Sequence, residues 1–293
     1  MNMKVSLKHV THYQYSQTVQ LGPQLIKLRP APHCRTPISS YQLNIKPSTY
    51  FINWQQDPFS NHVARLVFTE KTNSFEINVE LTAELQKINP FDFFVEPSAE
   101  HHPFKYDANL MAGLSPYLET DSSGPLLQEF IKTIPQEKRR TIEYVVYLNQ
   151  LVFNRVRYMI RHEPGVQSIE ETLQLNSGSC RDSTWLLVQL CRHMGIAARF
   201  VSGYLIEANA DWHNLNSPAE SQENVAELHA WCEVFIPGAG WVGIDPTSGL
   251  LATEGHIPLA AAPDPSNAMP IYGELDMCDV KMTHKITTLI HKA

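Results

Sequence analysis

The sequence has little of what membrane-spanning, secreted or nucleic-acid-binding proteins contain. No apolar run reaches the roughly 20 residues of a transmembrane helix, and residues 1–17 lack the apolar core of a signal peptide. The formal net charge is −7, and the longest basic cluster is only Lys138–Arg140, too short to track a phosphate backbone. We therefore expect a cytoplasmic protein that binds neither membrane nor nucleic acid.

Cysteine is scarce and irregularly spaced. The five cysteines, at positions 34, 180, 191, 232 and 278, are odd in number and form no C-x-x-C pair. This spacing indicates neither a disulfide framework nor a zinc site, so the thiols are expected to be reduced.

The chain of 293 residues, 43% of them hydrophobic, can bury a full core, and its length fits two domains. Residues 1–95 contain alternating runs such as YQLNIKP and FEINVELTAEL, separated by turn residues. They predict a mainly antiparallel β domain. Residues 96–125, rich in proline, serine and histidine, are interpreted as a connecting segment.

A different pattern marks residues 126–265, the predicted second domain. Apolar residues recur at three- and four-residue steps through 141–158, and Ser168 begins a capping-box sequence. The later runs ARFVSGYLI, ELHAWCEVFI and GWVGID are typical of strands. Helices followed by an antiparallel sheet make the predicted fold class α+β. Residues 266–293 are expected to form a C-terminal tail that can include a strand.

A cysteine stands at the start of a predicted helix in residues 176–195, NSGSCRDSTWLLVQLCRHMG. Ser177 or Ser179 can cap this helix and Gly195 can end it, which puts Cys180 in the first turn. There the helix dipole and unpaired N–H donors favour a thiolate and can stabilise the oxyanion that forms when it attacks a carbonyl. Cys180 is the candidate nucleophile, although a lone cysteine at a helix start is at least as often structural.

The predicted hairpin of residues 227–245 supplies a base and a carboxylate. Alternation along its strands puts His229 and Asp245 on the face opposite the apolar side chains. If its loop has three residues, Ile236 pairs with Gly240, and Asp245 lies diagonally from His229 at roughly 7–8 Å, a gap that the side chains can close. A Cys–His–Asp arrangement follows from this register.

Neighbouring residues receive structural interpretations. Cys191 and Cys232 fall on apolar faces and are expected in the core. Asp182 lies in the first helical turn and is expected to complement the dipole. Arg181 is expected to bind the protein scaffold, with contact to a substrate carboxylate as the alternative.

The chain resembles the bacterial transglutaminase-like superfamily in two stretches, GSCRDSTWLLVQLCRHMGIAARFVSGYL and HAWCEVFIPGAGWVGIDPTSGL. In that family the cysteine of G-S-C-R-D, the histidine of H-A-W and the aspartate of D-P-T form the triad, which carries over to Cys180, His229 and Asp245. Two earlier stretches, HVTHYQYSQTVQLGPQLIKLRPAP and DPFSNHVARLVF, resemble the β domain commonly fused ahead of this core. One departure is the turn Pro58–Asn61, PFSN, which replaces an aromatic-Gly-Asn turn.

The resemblance implies a papain-like catalytic domain with helices packed on an antiparallel sheet, and an enzyme of the cysteine protease type. Residues and resemblance together favour a peptidase or amidase that cleaves an amide or isopeptide bond of a protein or peptide through a thioester on Cys180. A transglutaminase that transfers the acyl group to an amine, or a non-catalytic binding module, are the alternatives.

No metal and no other cofactor is expected for this chemistry. The sequence contains no D-x-[DN]-x-[DN]-G loop of the kind that binds calcium. A thiolate and backbone N–H donors already supply the nucleophile and the oxyanion stabilisation.

Cys180 should be alkylated faster than the other four cysteines, because it alone combines a helix N-terminus with a nearby histidine base. Iodoacetamide footprinting near neutral pH, read by peptide mass spectrometry, measures this order. Faster modification of Cys34 or Cys278, with Cys180 unmodified, would contradict the assignment of the nucleophile.

Overall fold

The computed structural model describes residues 3–121, 124–207 and 226–291, and their fold is α+β, as predicted. The helices are α1 (Ala108–Leu114), α2 (Pro125–Lys132), α3 (Thr141–Arg155), α4 (Ile169–Leu175) and α5 (Cys180–His193). Within the described ranges, no helix has the length and apolar character needed to cross a membrane.

The strands fall into three larger sheets and two short pairs. They are β1 (Met3–Val19), β2 (Leu21–Ile26), β3 (Ile38–Lys46), β4 (Tyr50–Gln56), β5 (His62–Phe68), β6 (Thr72–Leu85), β7 (His101–His102), β8 (Arg139–Arg140), β9 (Arg157–Tyr158), β10 (Ser177–Gly178), β11 (Ala198–Ile206), β12 (Ala226–Ile236), β13 (Gly240–Asp245), β14 (Leu250–Leu251), β15 (His256–Ala262), β16 (Ile271–Leu275) and β17 (Val280–His291).

Two antiparallel sheets of the N-terminal region, ordered β17-β1-β6-β3 and β16-β2-β5-β4, share one core. Strand β6 shows why: every second residue from Phe75 to Leu85 is buried, so its alternating sequence places one apolar face inward. The C-terminal residues return to these sheets, because β16 pairs with β2 and β17 pairs with β1. Strands β16 and β17 of the expected tail therefore each form one edge of these two sheets.

The third sheet, ordered β14-β13-β12-β11-β15, carries α5 on one face. Cys191 of α5 and Cys232 of β12 are fully buried in the core between them, as predicted. The hairpin register is also as predicted, since Ile236 pairs with Gly240.

The N-terminal sheets are joined to the third sheet by buried polar contacts. Asn61 Nδ2 donates to Ala261 O over 3.0 Å, and Ala261 N donates to Asn61 Oδ1 over 2.8 Å. Ser60, in the position of the glycine in the family turn, has a left-handed φ of 68°. This conformation carries a cost that a glycine at the same position would avoid. His9 Nδ1 lies 2.9 Å from the hydroxyl of Tyr204.

Asn61→Ala should lower the free energy of unfolding by about 1–3 kcal/mol, because it leaves both backbone groups of Ala261 unpaired in a buried place. Urea unfolding followed by circular dichroism measures the change. Asn53→Ala, at an exposed position of β4, is the matched control and should change stability little. Equal stability of the two variants would show that the Asn61 contacts do not hold the sheets together.

Candidate active site

The N-terminus of α5 is shaped by a tight turn that begins at Asn176. This residue has a left-handed φ of 49° and ends α4, and β10 then leads to Ser179, the N-cap of α5. Asp182 accepts hydrogen bonds from Ser179 N at 2.8 Å and Ser179 Oγ at 2.7 Å. Cys180, partly exposed, is therefore the first residue of the helix, as predicted.

Asp182 does more than complement the helix dipole, which corrects the narrower expectation from the sequence. Its buried carboxylate also accepts from Arg161 Nε at 2.9 Å, Arg161 Nη2 at 3.0 Å and Gln167 N at 2.7 Å. Burial alone would raise the pKa of Asp182, but these hydrogen bonds outweigh it and lower the pKa. The carboxylate thus fastens the segment after α3 to the helix end that carries Cys180.

Arg181 binds the scaffold, as expected. Its Nη2 donates to the carbonyl oxygens of Arg161 and Glu163, both at 2.9 Å. Arg181 and Asp182, the two residues that follow Cys180, are therefore both held by the segment after α3.

His229 and Asp245 meet on the third sheet at the register predicted for the hairpin. His229 Nε2 lies 3.1 Å from Asp245 Oδ2, and both residues are buried. The other ring nitrogen, Nδ1, has no hydrogen-bond partner among the described residues, and the thiol of Cys180 interacts with the ring. The structure thus brings the three predicted residues together, with Nδ1 free for the thiol.

The pKa of His229 is raised to about 10. Burial by itself lowers it, but the hydrogen bond and charge of Asp245, together with Cys180, outweigh that effect. The imidazolium is therefore the favoured form at neutral pH, in position to donate a proton.

Asp245 is held by hydrogen-bond donors that were not among the residues predicted from the sequence. Thr247 donates to Oδ1 through its N at 2.8 Å and its Oγ1 at 2.7 Å, and Asn149 Nδ2 of α3 donates to the Asp245 carbonyl at 3.2 Å. Burial raises the pKa of Asp245, but the bonds from His229, His256 and Thr247 lower it far more. Of these donors, Thr247 had a sequence signal, since a threonine two residues after an aspartate is typical of a turn closed by side-chain hydrogen bonds.

His256 of β15 is the second histidine on this carboxylate. Its Nδ1 accepts from Thr253 N at 3.2 Å, so the ring proton belongs on Nε2, which lies 3.4 Å from Asp245 Oδ2. His256 is thus set as a neutral donor to Asp245. Trp231 packs edge-on against its ring, with centroids 5.1 Å apart. No spacing in the sequence ties His256 to the hairpin, because it comes from a different strand.

His229, Asp245 and His256 also satisfy the distance requirement of a metal site, since their ligand atoms lie within 4.8 Å of one another. A metal on Nε2 of His256 would leave that ring without a proton, because Nδ1 already accepts from Thr253. Metal-binding histidines instead donate their second N–H to an acceptor. The donor set therefore fits a hydrogen-bonded network better than a metal centre.

The other cysteines lack these surroundings. Burial raises the pKa of Cys34 to about 11, and its thiol donates to Thr36 O at 3.3 Å. Burial likewise raises the pKa of Cys232 well above its usual value.

A groove of about 780 Å³ lies between β3 and β4 and is lined by Arg29, Tyr41 and other residues. None of the three predicted site residues lines it. The chemistry of the side chains, rather than the size of this groove, therefore places the candidate site at the start of α5.

Comparison with known proteins identifies two matching families. Residues 5–84 match the bacterial transglutaminase-like N-terminal region, and residues 128–246 match the transglutaminase-like superfamily. Cys180, His229 and Asp245 all lie within the second range.

Individual relatives are distant in sequence. An uncharacterized protein of Mycobacterium tuberculosis is 22% identical over 276 residues, which span 90% of this chain and 85% of the relative. Protein YebA of Bacillus subtilis is 36% identical over 72 residues, 25% of this chain and 10% of its own. The crystal structure of a proposed cysteine protease from Cytophaga hutchinsonii has a TM-score of 0.71 and 20% identity, with 100% of this chain and 92% of that chain covered. At this identity, the likeness shows a shared fold.

The raised pKa of His229 should depend on its carboxylate partner. In Asp245→Asn the pKa of His229 should fall from about 10 toward 6.5, because the variant removes the charge that stabilises the imidazolium. Histidine-ring nitrogen NMR across pH 5–11 measures both values. An unchanged His229 titration in the variant would mean that another group sets its protonation.

The pH dependence of stability provides a second measurement of the same shift. Because the pKa is raised in the folded state, the stabilisation is fully present below about 6.5 and is lost as pH rises through about 10. Wild type should therefore lose more stability across this window than Asp245→Asn does.

Proposed function

Because the chain belongs to the transglutaminase-like superfamily, with the bacterial transglutaminase-like N-terminal region ahead of the core, we propose that it is a cysteine-dependent acyl-transfer enzyme. Its first expected reaction is hydrolysis of an amide or isopeptide bond in a protein or peptide. One observation carries the proposal: the partly exposed thiol at the start of α5 interacts with a buried histidine that is paired with a buried aspartate.

In the first step, the Cys180 thiolate attacks the carbonyl carbon of the amide, and the carbonyl electron pair moves onto oxygen. The N–H groups in the first turn of α5 have no helical partners and can donate to this oxyanion. The imidazolium of His229 then gives its Nδ1 proton to the leaving nitrogen as the carbon–nitrogen bond breaks. An amine departs and a thioester remains on Cys180.

In the second step, the neutral His229 takes a proton from water, and the resulting hydroxide attacks the thioester. Collapse of the intermediate breaks the carbon–sulfur bond, releases a carboxylic acid and restores the thiolate–imidazolium pair. Asp245 accepts a hydrogen bond from Nε2 of His229 throughout and does not itself become protonated. This bond keeps Nδ1 directed toward the reacting groups. If an amine replaces water, the same intermediate yields a new amide, which is transglutaminase-type transfer.

Incubation with a pool of tryptic peptides and a primary amine, followed by acid quenching, should reveal an acyl adduct on Cys180. Intact-protein mass spectrometry detects the adduct, and hydroxylamine should remove it because it is a thioester. Product masses distinguish free acids, which indicate hydrolysis, from amides of the added amine.

Cys180→Ala should abolish the adduct, whereas Cys34→Ala, the matched control, should retain it. No adduct and no peptide turnover in wild type would favour a non-catalytic binding module. An adduct that persists in Cys180→Ala would place the nucleophile elsewhere.

A further inference from the structure

Three consecutive apolar side chains lie exposed in the segment that is fastened to the Cys180 end of α5. The exposed fractions are 48% for Tyr158, 42% for Met159 and 72% for Ile160. Single exposed apolar residues are ordinary on protein surfaces, but a contiguous group beside a functional centre is typical of a contact surface.

This apolar ledge, Tyr158–Ile160, is held rigidly against the residues that precede Cys180. Arg157 N donates to Asn176 O, and Met159 N donates to Gly178 O, each at 2.9 Å. The ladder between β9 and β10 pairs Tyr158 with Gly178. Gly178 is two residues before the nucleophile, and Tyr158 lies beside it on the paired strand, at a strand spacing of about 4.8 Å.

Its far end is fastened as well. Arg161 directly follows the ledge. Its guanidinium donates hydrogen bonds from Nε and Nη2 to the two carboxylate oxygens of Asp182, in the first turn of α5. The ledge is thus fixed at both ends to the helix end that carries the thiol.

The pairing of Tyr158 with Gly178 places the ledge beside the reacting groups. The pKa of Tyr158 is raised by burial and further by Cys180 and Glu227. The Glu227 carboxylate lies 3.9 Å from His229 Nδ1, the ring nitrogen that is free for the thiol. The apolar ledge and the acidic Glu227 side chain therefore both lie near the reacting groups.

Among the described strands β9 pairs only with β10, and its other edge suits an extended chain. Arg157 and Met159 direct their N–H groups toward residues 176–178, and backbone groups alternate in direction along a strand. The N–H and C=O of Tyr158 therefore point away from β10, where an extended polypeptide can pair with them.

Resting on the proposed function, we propose that the ledge is the acyl-side subsite and that it selects polypeptides with an apolar residue second from the attacked carbonyl. The second residue fits because Tyr158 is paired with Gly178, two residues before Cys180, so an extended chain lying along this segment has its second residue at the ledge when its attacked carbonyl lies at Cys180. Glu227 adds to this selection, because its negative charge disfavours acidic chains.

Two peptidyl chloromethyl ketones test the subsite, N-acetyl-Leu-Gly and N-acetyl-Asn-Gly. Leucine and asparagine have similar shape and size, so the pair isolates apolar character. Wild type should be inactivated at least about tenfold faster by the leucine probe, the lower range expected for a hydrophobic pocket contact. Tyr158→Ser and Ile160→Ser should each reduce this preference, and together they should bring it close to one.

Phe94→Ser is the matched control, since Phe94 is an exposed apolar residue next to the β12–β13 turn, at the opposite end of β12 from His229. It should keep the wild-type preference. Alkylation of Cys180 by iodoacetamide, which needs no subsite, should proceed at one rate in all variants.

The outcomes separate the two proposals. Equal inactivation by both probes, a preference that survives the double substitution, or no inactivation by either probe while iodoacetamide still alkylates Cys180 would each overturn the subsite. Failure of iodoacetamide to react at Cys180 would overturn the proposed function itself.

Discussion

Two buried carboxylates, Asp182 and Asp245, can stay ionised only if hydrogen-bond donors surround them, and the donors they collect build the site. Asp182 accepts hydrogen bonds from Arg161, Gln167 and Ser179 and so holds them at the start of α5. Asp245 draws donors from its own turn, from β12 and from β15. An unpaired carboxylate at either place would cost several kcal/mol, so neither network can lose its partners cheaply. The nucleophile and its base are positioned by these two requirements together.

The hydrogen bonds around Asp182 set the position of the nucleophile, and those around Asp245 set the charge of its base. Around Asp182, donors close the turn before Cys180 and fasten the apolar ledge beside it. Around Asp245, donors decide which nitrogen of His229 remains free and hold the ring in its charged form. His256 adds to this without competing for a proton, because its Nδ1 accepts from Thr253 and leaves Nε2 as a donor.

The N-terminal sheets also bear on the site through β15. Asn61 binds both backbone groups of Ala261 in this strand, and the same strand supplies His256. Because β16 and β17 complete the N-terminal sheets, the last part of the chain is tied to the first. The β region thus acts as a support for one side of the Asp245 network.

Local patterns in the sequence predicted the α+β class, the place of Cys180 in the first turn of α5 and the pairing of Ile236 with Gly240, because periodicity, capping residues and a short loop are properties of neighbouring residues. The tertiary structure alone decided that Arg161 neutralises Asp182, that His256 joins Asp245 and that β16 and β17 complete sheets begun at the N-terminus. These contacts join residues that are 11 positions apart for Asp245 and His256 and 287 positions apart for Lys4 and His291. Nothing in a single sequence encodes such distances directly, because they arise only when separate elements share one core and one set of buried charges.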